Sequence, residues 1–143
     1  AFKANTNDTR ESAAIQICKD LIEEGADLLI HDPKVSPEQI EKDLQIRQIS
    51  KSSTERESSL KNKTGQWEFS KNLDIFENAH AVLVLTEWNE YKNINWDLAV
   101  KKMVKPAWLF DSRSIVDASI VQKAGFNLWR LGDGSQKEKI NNF

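Results

Sequence analysis

The sequence predicts an α/β fold: a Rossmann-like, doubly wound and mostly parallel sheet of about five to six strands with helices on both faces. Three observations predict it. Short continuous apolar runs at Leu28-Leu29-Ile30, Ala81-Val82-Leu83-Val84-Leu85 and Ala107-Trp108-Leu109-Phe110 are bounded by polar or turn residues. Strands of a parallel sheet buried on both faces read that way. Between the runs, apolar residues recur at helical spacing, and strand followed by helix several times over marks the α/β class. The 143 residues also suit one domain, on the usual scale of ~100–200 residues.

Each element has its own signal. Ala1-Phe2-Lys3 reads as the tail end of a strand whose start lies upstream. Ala13, Ala14, Ile17, Cys18, Leu21 and Ile22 form the stripe of a first helix, and Gly25 supplies a left-handed stop. After the run at Leu28, Ser36-Pro37-Glu38-Gln39 combines an N-cap, a first-turn proline and a capping-box Gln ahead of Ile40 and Leu44. Residues 47–66 then break the rhythm, with five serines, seven charges and only Ile49 and Leu60 apolar. They read as a solvated, mobile insertion, with a basic interaction loop as the alternative. Asn95 can cap a helix carrying Trp96, Ala99, Val100 and Met103. A last stripe of Ile115, Val116, Ile120, Val121 and Ala124 closes at Gly125. Phe126 to Leu131 alternates and reads as an edge strand. Residues 1–134 thus read as one domain and 135–143 as a flexible tail.

Composition removes several function classes. Twenty Lys+Arg against 22 Asp+Glu leave a net charge of −2, so a globally basic nucleic-acid binder is not expected. No apolar run approaches the ~18 residues of a membrane span, and the opening Ala1-Phe2-Lys3-Ala4-Asn5 is no signal peptide. Neither nucleic acid nor membrane is an expected partner. The lone Cys18 and two histidines make neither a disulfide nor an ordinary zinc cluster, so no metal is expected and the expected compartment is reducing, the cytoplasm. A chain that opens at Ala1, inside a structural element, reads as a piece of a longer protein.

The candidate site lies at the carboxyl ends of the strands, where open α/β sheets bind ligands at the reversal of strand order. Suppose the strand ending at Lys3 abuts the strand that runs into Phe110-Asp111-Ser112-Arg113. Lys3 and Arg113 then share one crevice, and two converging cations imply an anion. Arg10, in the loop Asn5 to Ser12, adds a third cation near a helix start, where the helix dipole does not favour it but a carboxylate or phosphate would. The bland reading of each is a surface cation or a local ion pair, Arg113 with Asp111 or Asp117 for example. The same loop holds none of the five glycines, so it lacks the G-x-G-x-x-G turn that cradles a dinucleotide. A nucleotide here has to be held by side chains or shared with another domain.

Other candidates are weaker. Cys18 sits on the apolar stripe and reads as core rather than nucleophile. His31-Asp32-Pro33 reads as a chain-turning device before it reads as an acid/base pair. His80 reads as an exposed loop residue. Thr86-Glu87-Trp88 could meet a ligand or a neighbouring subunit. Of Trp67, Trp88, Trp96, Trp108 and Trp129, most read as core, with one or two at an interface.

Ala1-Phe2-Lys3 followed by Asp8-Thr9-Arg10-Glu11-Ser12, then His31-Asp32-Pro33-Lys34, Ala81-Val82 through Thr86-Glu87-Trp88, and Phe110-Asp111-Ser112-Arg113 closely resemble the C-terminal domain of the UDP-glucose 6-dehydrogenase family. The likeness spans essentially the whole chain in order, and the long insertion at 47–66 is similar to the animal branch. The resemblance implies an enzyme that oxidises UDP-glucose to UDP-glucuronate in two NAD-dependent steps through a cysteine-bound thiohemiacetal and thioester. It implies that Phe2, Lys3 and Arg113 touch UDP-glucose and that Arg10 reaches NAD, which an N-terminal Rossmann domain holds. A central domain and homo-oligomer contacts are implied as partners. The family's catalytic cysteine, lysine, asparagine and aspartate match nothing here and belong upstream of Ala1. Ser112 stands where the family commonly has glycine or similar. Two alternatives remain: a related dehydrogenase for UDP-N-acetylmannosamine or GDP-mannose, or a non-catalytic nucleotide-binding or scaffolding domain.

Overall fold

The computed structural model describes residues 1–49 and 64–132. It divides into two compact units, Ala1–Ile75 and Phe76–Phe143. All five strands of the described residues pair in parallel, two in the first unit and three in the second.

In the first unit, helix α1 (Ala13–Glu23) ends as its glycine predicts. Gly25 adopts φ 94°, its N–H donates to Ile22 O at 3.0 Å, and Ala26 N–H donates to Leu21 O at 2.9 Å, the double closure of a Schellman turn. Strand β1 (Leu28–Ile30) follows, then helix α2 (Pro37–Leu44). Ser36 Oγ accepts from Gln39 N–H at 3.2 Å, so the cap forms as expected. The expected reciprocal bond is replaced: the Gln39 side chain donates along the helix to Asp43, at 2.9 Å.

Strand β2 (Trp67–Phe69) was not foreseen. It pairs with β1 so that Leu28 faces Trp67 and Ile30 faces Phe69. Three residues carry too short a period to separate a strand from a loop. Trp67 explains why the strand forms. The residue is 1 % exposed, its Nε1–H donates to Ile46 O at 2.7 Å, and it closes a core with Ile22, Val35, Ile40 and Leu44. Burial of so large a ring outweighs the weak local preference.

The insertion at 47–66 lies mostly outside the described residues, but its two ends are tied. Ile49 N–H donates to Trp67 O at 3.1 Å, Gly65 N–H to Ile22 O at 2.7 Å, and Leu28 N–H to Gln66 O at 2.8 Å. Gly65 sits so close to the Ala26 backbone that a Cβ would collide with its carbonyl. Glycine is required there by space, since it alone lets two backbones approach so closely.

In the second unit, β3 (Ala81–Val84), β4 (Trp108–Asp111) and β5 (Asn127–Arg130) form a sheet in that order. The edge position of β5 agrees with its alternating pattern. Helix α3 (Trp96–Lys102) is capped by Asn95, whose Oδ1 accepts from Leu98 N–H at 3.2 Å. Helix α4 (Ala118–Ala124) starts later than its apolar stripe suggests, because Asp117 caps it through Ile120 N–H at 3.1 Å. Trp96 anchors this interior edge-to-face against Phe76 and Phe126.

Three expectations are corrected. Ala1-Phe2-Lys3 is not a strand: Phe2 N–H donates to Asp8 O at 2.9 Å and the Ser12 hydroxyl donates to Ala1 O at 3.3 Å, so these backbone groups find partners inside the 1–12 loop. The strand leading to Arg113 has β3 and β5 as its neighbours, not the segment ending at Lys3. Apolar periodicity identifies strands but does not encode which strand pairs with which. The expectation of burial on both faces also differs from the second sheet. Val84, Leu109 and Leu128 are buried on one face, while Leu83, Trp108 and Trp129 on the other are about two-fifths exposed. Phe110 links the two tryptophans, with ring centroids at 5.8 and 6.1 Å.

Leu109 is fully buried and Leu83 is 37 % exposed. Leu109→Ala is expected to lower unfolding free energy by about 2–5 kcal/mol and Leu83→Ala by about 1 kcal/mol, measured by urea denaturation. Gly65→Ala is expected to cost ~1–3 kcal/mol through forced overpacking, and a neutral result there would contradict the close backbone approach.

Candidate functional site

The 1–12 loop of the first unit gathers three of the predicted residues. Phe2 opens it, and Lys3 Nζ lies 5.3 Å from the centre of the Phe2 ring, a cation–π distance. Asp8 lies opposite: Arg10 Nε donates to its two carboxylate oxygens at 3.0 and 3.1 Å, Nη2 donates at 2.6 Å, and the Arg10 backbone N–H donates to Oδ1 at 2.9 Å. Arg10 therefore forms a local ion pair, with its side chain 87 % exposed. These bonds from Arg10, with Lys3 nearby as a smaller influence, hold the Asp8 carboxyl at about 2, below its ordinary 3.8. Arg10 is correspondingly held above its usual value, chiefly by the same hydrogen bond. Its Nη1 has no hydrogen-bond partner among the described residues, so the guanidinium keeps donors for an external anion. Ser12 occupies the N-cap of α1 but gives its hydroxyl to Ala1 O, which leaves the helix start without a side-chain cap.

In the second unit, Arg113 follows β4 at the carboxyl rim, where α/β sheets place ligand-binding residues. Its Nε donates to Leu85 O at 3.1 Å and lies 3.3 Å from Glu87 Oε2. Glu87 is thus an ion-pair partner that the sequence reading, which offered Asp111 or Asp117, did not name. Asp111 acts on the backbone instead. Its Oδ1 accepts from Arg113 N–H and its Oδ2 from Val116 N–H, both at 3.0 Å, with the carboxylate fully buried. Arg130 Nε lies 3.9 Å from the same carboxylate. Ser112 tethers the turn to β3, its N–H and its hydroxyl both donating to Val84 O, at 3.1 and 2.9 Å. Ser114 adopts φ 56°, a left-handed conformation costly for a residue with a Cβ.

Sequence reasoning passed over Asp8 and offered Asp111 only as an ion-pair partner of Arg113, yet a signal for the backbone role of both was present. Asp8-Thr9-Arg10, Asp32-Pro33-Lys34 and Asp111-Ser112-Arg113 share one spacing. In all three the aspartate Oδ1 accepts the backbone N–H of the cationic residue two positions on, at 2.9–3.0 Å. That is the Asx turn to which aspartate is suited. Asp32 also accepts from Val35 N–H at 2.9 Å, as the chain-turning reading of His31-Asp32-Pro33 expects.

Cys18 packs against the first core, where burial pushes its thiol up to about 11, in keeping with a core residue. His80 is exposed, as predicted. Thr86 and Trp88 are buried at 6 % and 5 % exposure, so within Thr86-Glu87-Trp88 only Glu87 offers its side chain to the surface. Of the five tryptophans, Trp67, Trp88 and Trp96 are interior, while Trp108 and Trp129 are not.

Residues 1–118 match the model of the UDP-glucose/GDP-mannose dehydrogenase family, UDP binding domain. That span encloses both cationic loops. The chain belongs to this family. It is 40 % identical over 137 residues to a UDP-glucose 6-dehydrogenase of Drosophila melanogaster, covering 96 % of this chain and 28 % of that protein. A Bos taurus UDP-glucose 6-dehydrogenase is 37 % identical over 142 residues, covering 98 % of this chain and 27 % of that protein. The UDP-glucose 6-dehydrogenase 4 of Arabidopsis thaliana is 36 % identical over 135 residues, covering 92 % and 28 % respectively. Relatives of animals and plants thus match the UDP-binding domain at similar levels, and the chain spans little more than a quarter of their length. No helix among the described residues is long and apolar enough to cross a membrane.

Two titrations follow. The Asp8 carboxyl is expected to titrate near 2 by NMR and to return toward 3.8 in Arg10→Ala. Because its value is lowered in the folded chain, the stabilisation is present above 3.8 and lost as pH falls through about 2. Cys18, held up near 11, is expected to resist a thiol reagent at pH 8 in the folded chain and to react readily once urea unfolds it. Rapid labelling of the folded protein would contradict its placement.

Proposed function

We propose that the chain is the UDP-gripping domain of an NAD-dependent UDP-glucose 6-dehydrogenase, in which residues 1–134 act as one domain; the expected tail at 135–143 lies outside the described residues. In this reading the strands follow a Rossmann-like doubly wound plan, as the alternation of strand and helix supports. Phe2 and Lys3 in the first unit and Arg113 in the second contact UDP-glucose. The observation that carries the reading is the match to a UDP-binding domain over 1–118, together with a guanidinium braced at a strand-end rim by Leu85 O and Glu87. Guanidinium forks suit diphosphate oxygens. The uncapped start of α1 beside Phe2 and Lys3 adds backbone N–H groups, which favour an anion.

The dinucleotide is a different matter. The 5–12 loop has no glycine turn, and Arg10 offers only the part of its guanidinium that Asp8 leaves unused. These residues fit one contact to a bound NAD and not its whole site, which accords with an NAD-binding domain elsewhere in the full protein. Bound there, NAD would supply the hydride acceptor for oxidation at the sugar's 6-carbon. The catalytic cysteine and its helpers belong to that upstream part as well.

This chain's contribution is positional. Gripping a diphosphate remote from the reacting carbon uses binding energy to orient the sugar. A homo-oligomer in the reducing cytoplasm is the proposed setting, supported by the lone, partly buried Cys18 and the family membership. Arg113→Ala should remove a charge-assisted hydrogen bond worth about 1.5–3 kcal/mol, weakening UDP about 10- to 150-fold in calorimetric titration of the full chain. Unchanged UDP affinity would refute the assignment of Arg113.

A further inference from the structure

We infer that Asp111 is a positioning residue for the UDP grip, acting through the turn that carries Arg113 and never touching the ligand itself. The inference rests on the proposed role of Arg113 and adds a residue to it. Asp111 ends β4, in register with Val84 of β3 and Arg130 of β5, and its carboxylate is wholly out of solvent. One oxygen accepts the N–H of Arg113 and the other the N–H of Val116. A single rigid carboxylate thus pins two points of the turn, three residues apart, with the left-handed Ser114 between them. A strained conformation of that kind persists only where its surroundings over-determine it.

The guanidinium has separate guides. Leu85 O and Glu87 hold Nε from the end of β3, and Ser112 ties the turn to Val84 O. The side chain is therefore aimed by β3 while its backbone is fixed by Asp111 from β4. Both constraints must hold for the fork to meet a diphosphate in one geometry, and misplacement by about 1 Å is enough to lose much of an oriented contact. Asp8 and Asp32 form the same local turn without complete burial, and Asp8 also pairs with the exposed Arg10. Among the described residues only Asp111 combines that turn with complete burial.

The test is a double-mutant cycle in the full chain, reading UDP affinity, the KM for UDP-glucose, kcat and the thermal midpoint. Asp111→Asn keeps size but offers one acceptor oxygen where two are needed, and it leaves Arg130 beside a neutral amide. Asp111→Asn is expected to raise KM about tenfold, the effect of one lost hydrogen bond to a charged group, with kcat changed less than about twofold. In an Arg113→Ala background the same substitution should add less than about twofold, because the two residues act as one unit. An equal penalty in both backgrounds would show that Asp111 serves the fold alone and overturn the proposal. If Asp111→Asn does not fold, Ser112→Ala loosens the same turn without disturbing the buried charge. It is expected to raise KM about two- to fivefold in the wild-type background only, and an unchanged KM would again overturn the idea. Should Arg113→Ala itself leave KM and UDP affinity untouched, the grip reading falls, and that outcome is distinct from failure of the cycle.

Discussion

A carboxylate sealed away from water must be met by donors or it destabilises the fold that buries it. Asp111 satisfies this requirement with the backbone of the turn that follows it, through the N–H groups of Arg113 and Val116. The shape of the β4–α4 connection follows from that choice. It fixes where Arg113 leaves the sheet, lets Ser112 reach Val84 O, and carries the chain to Asp117, which caps α4. The parallel register adds the second half of the frame, because β3 ends level with β4 and presents Leu85 O and Glu87 to the same guanidinium.

The electrostatics of the two loops follow one plan. The chain carries slightly more acid than base, so attraction for an anion cannot come from net charge and has to be local. In each loop a carboxylate lies beside the cation, Asp8 with Arg10 and Glu87 with Arg113. Such a partner reduces the positive field but removes rotamer freedom that ligand binding would otherwise have to restrict. Lys3 differs, lying over the Phe2 ring, where an aromatic face orients a cation without neutralising it.

Packing places these loops. In the first unit Trp67 draws β2 against β1 and over the α1–α2 core, and Gly65 lets the returning chain pass against the end of α1. In the second, Trp96 is held between Phe76 and Phe126, next to a sheet whose buried side is formed by Val84, Leu109 and Leu128. Both loops thus project from ends of elements whose opposite faces are fixed by large buried side chains, which is the arrangement that lets a loop hold a definite shape.

The sequence by itself determined the α/β class, four helices with the caps at Ser36 and Asn95 and the glycine stops at Gly25 and Gly125, four of the five strands and the general place of Arg113. Each of these depends on short-range physics. A helix stripe repeats every three or four residues, Ser36 and Asn95 cap the turn next to them, and Gly25 and Gly125 relax a left-handed stop. The resemblance in Ala1-Phe2-Lys3, Asp8-Thr9-Arg10 and Phe110-Asp111-Ser112-Arg113 likewise lay open in the order of residues. Tertiary structure alone decided strand partners, because hydrogen bonding between β3 and β4 links residues 27 apart and leaves no local trace. It also made β2 a strand, by burying Trp67, and removed the 1–3 strand, whose backbone groups are met within their own loop. Glu87 became the partner of Arg113 for the same reason. Nothing in a linear reading weighs a residue on a neighbouring strand end above Asp111, two positions away, until the fold has turned that nearer carboxylate inward.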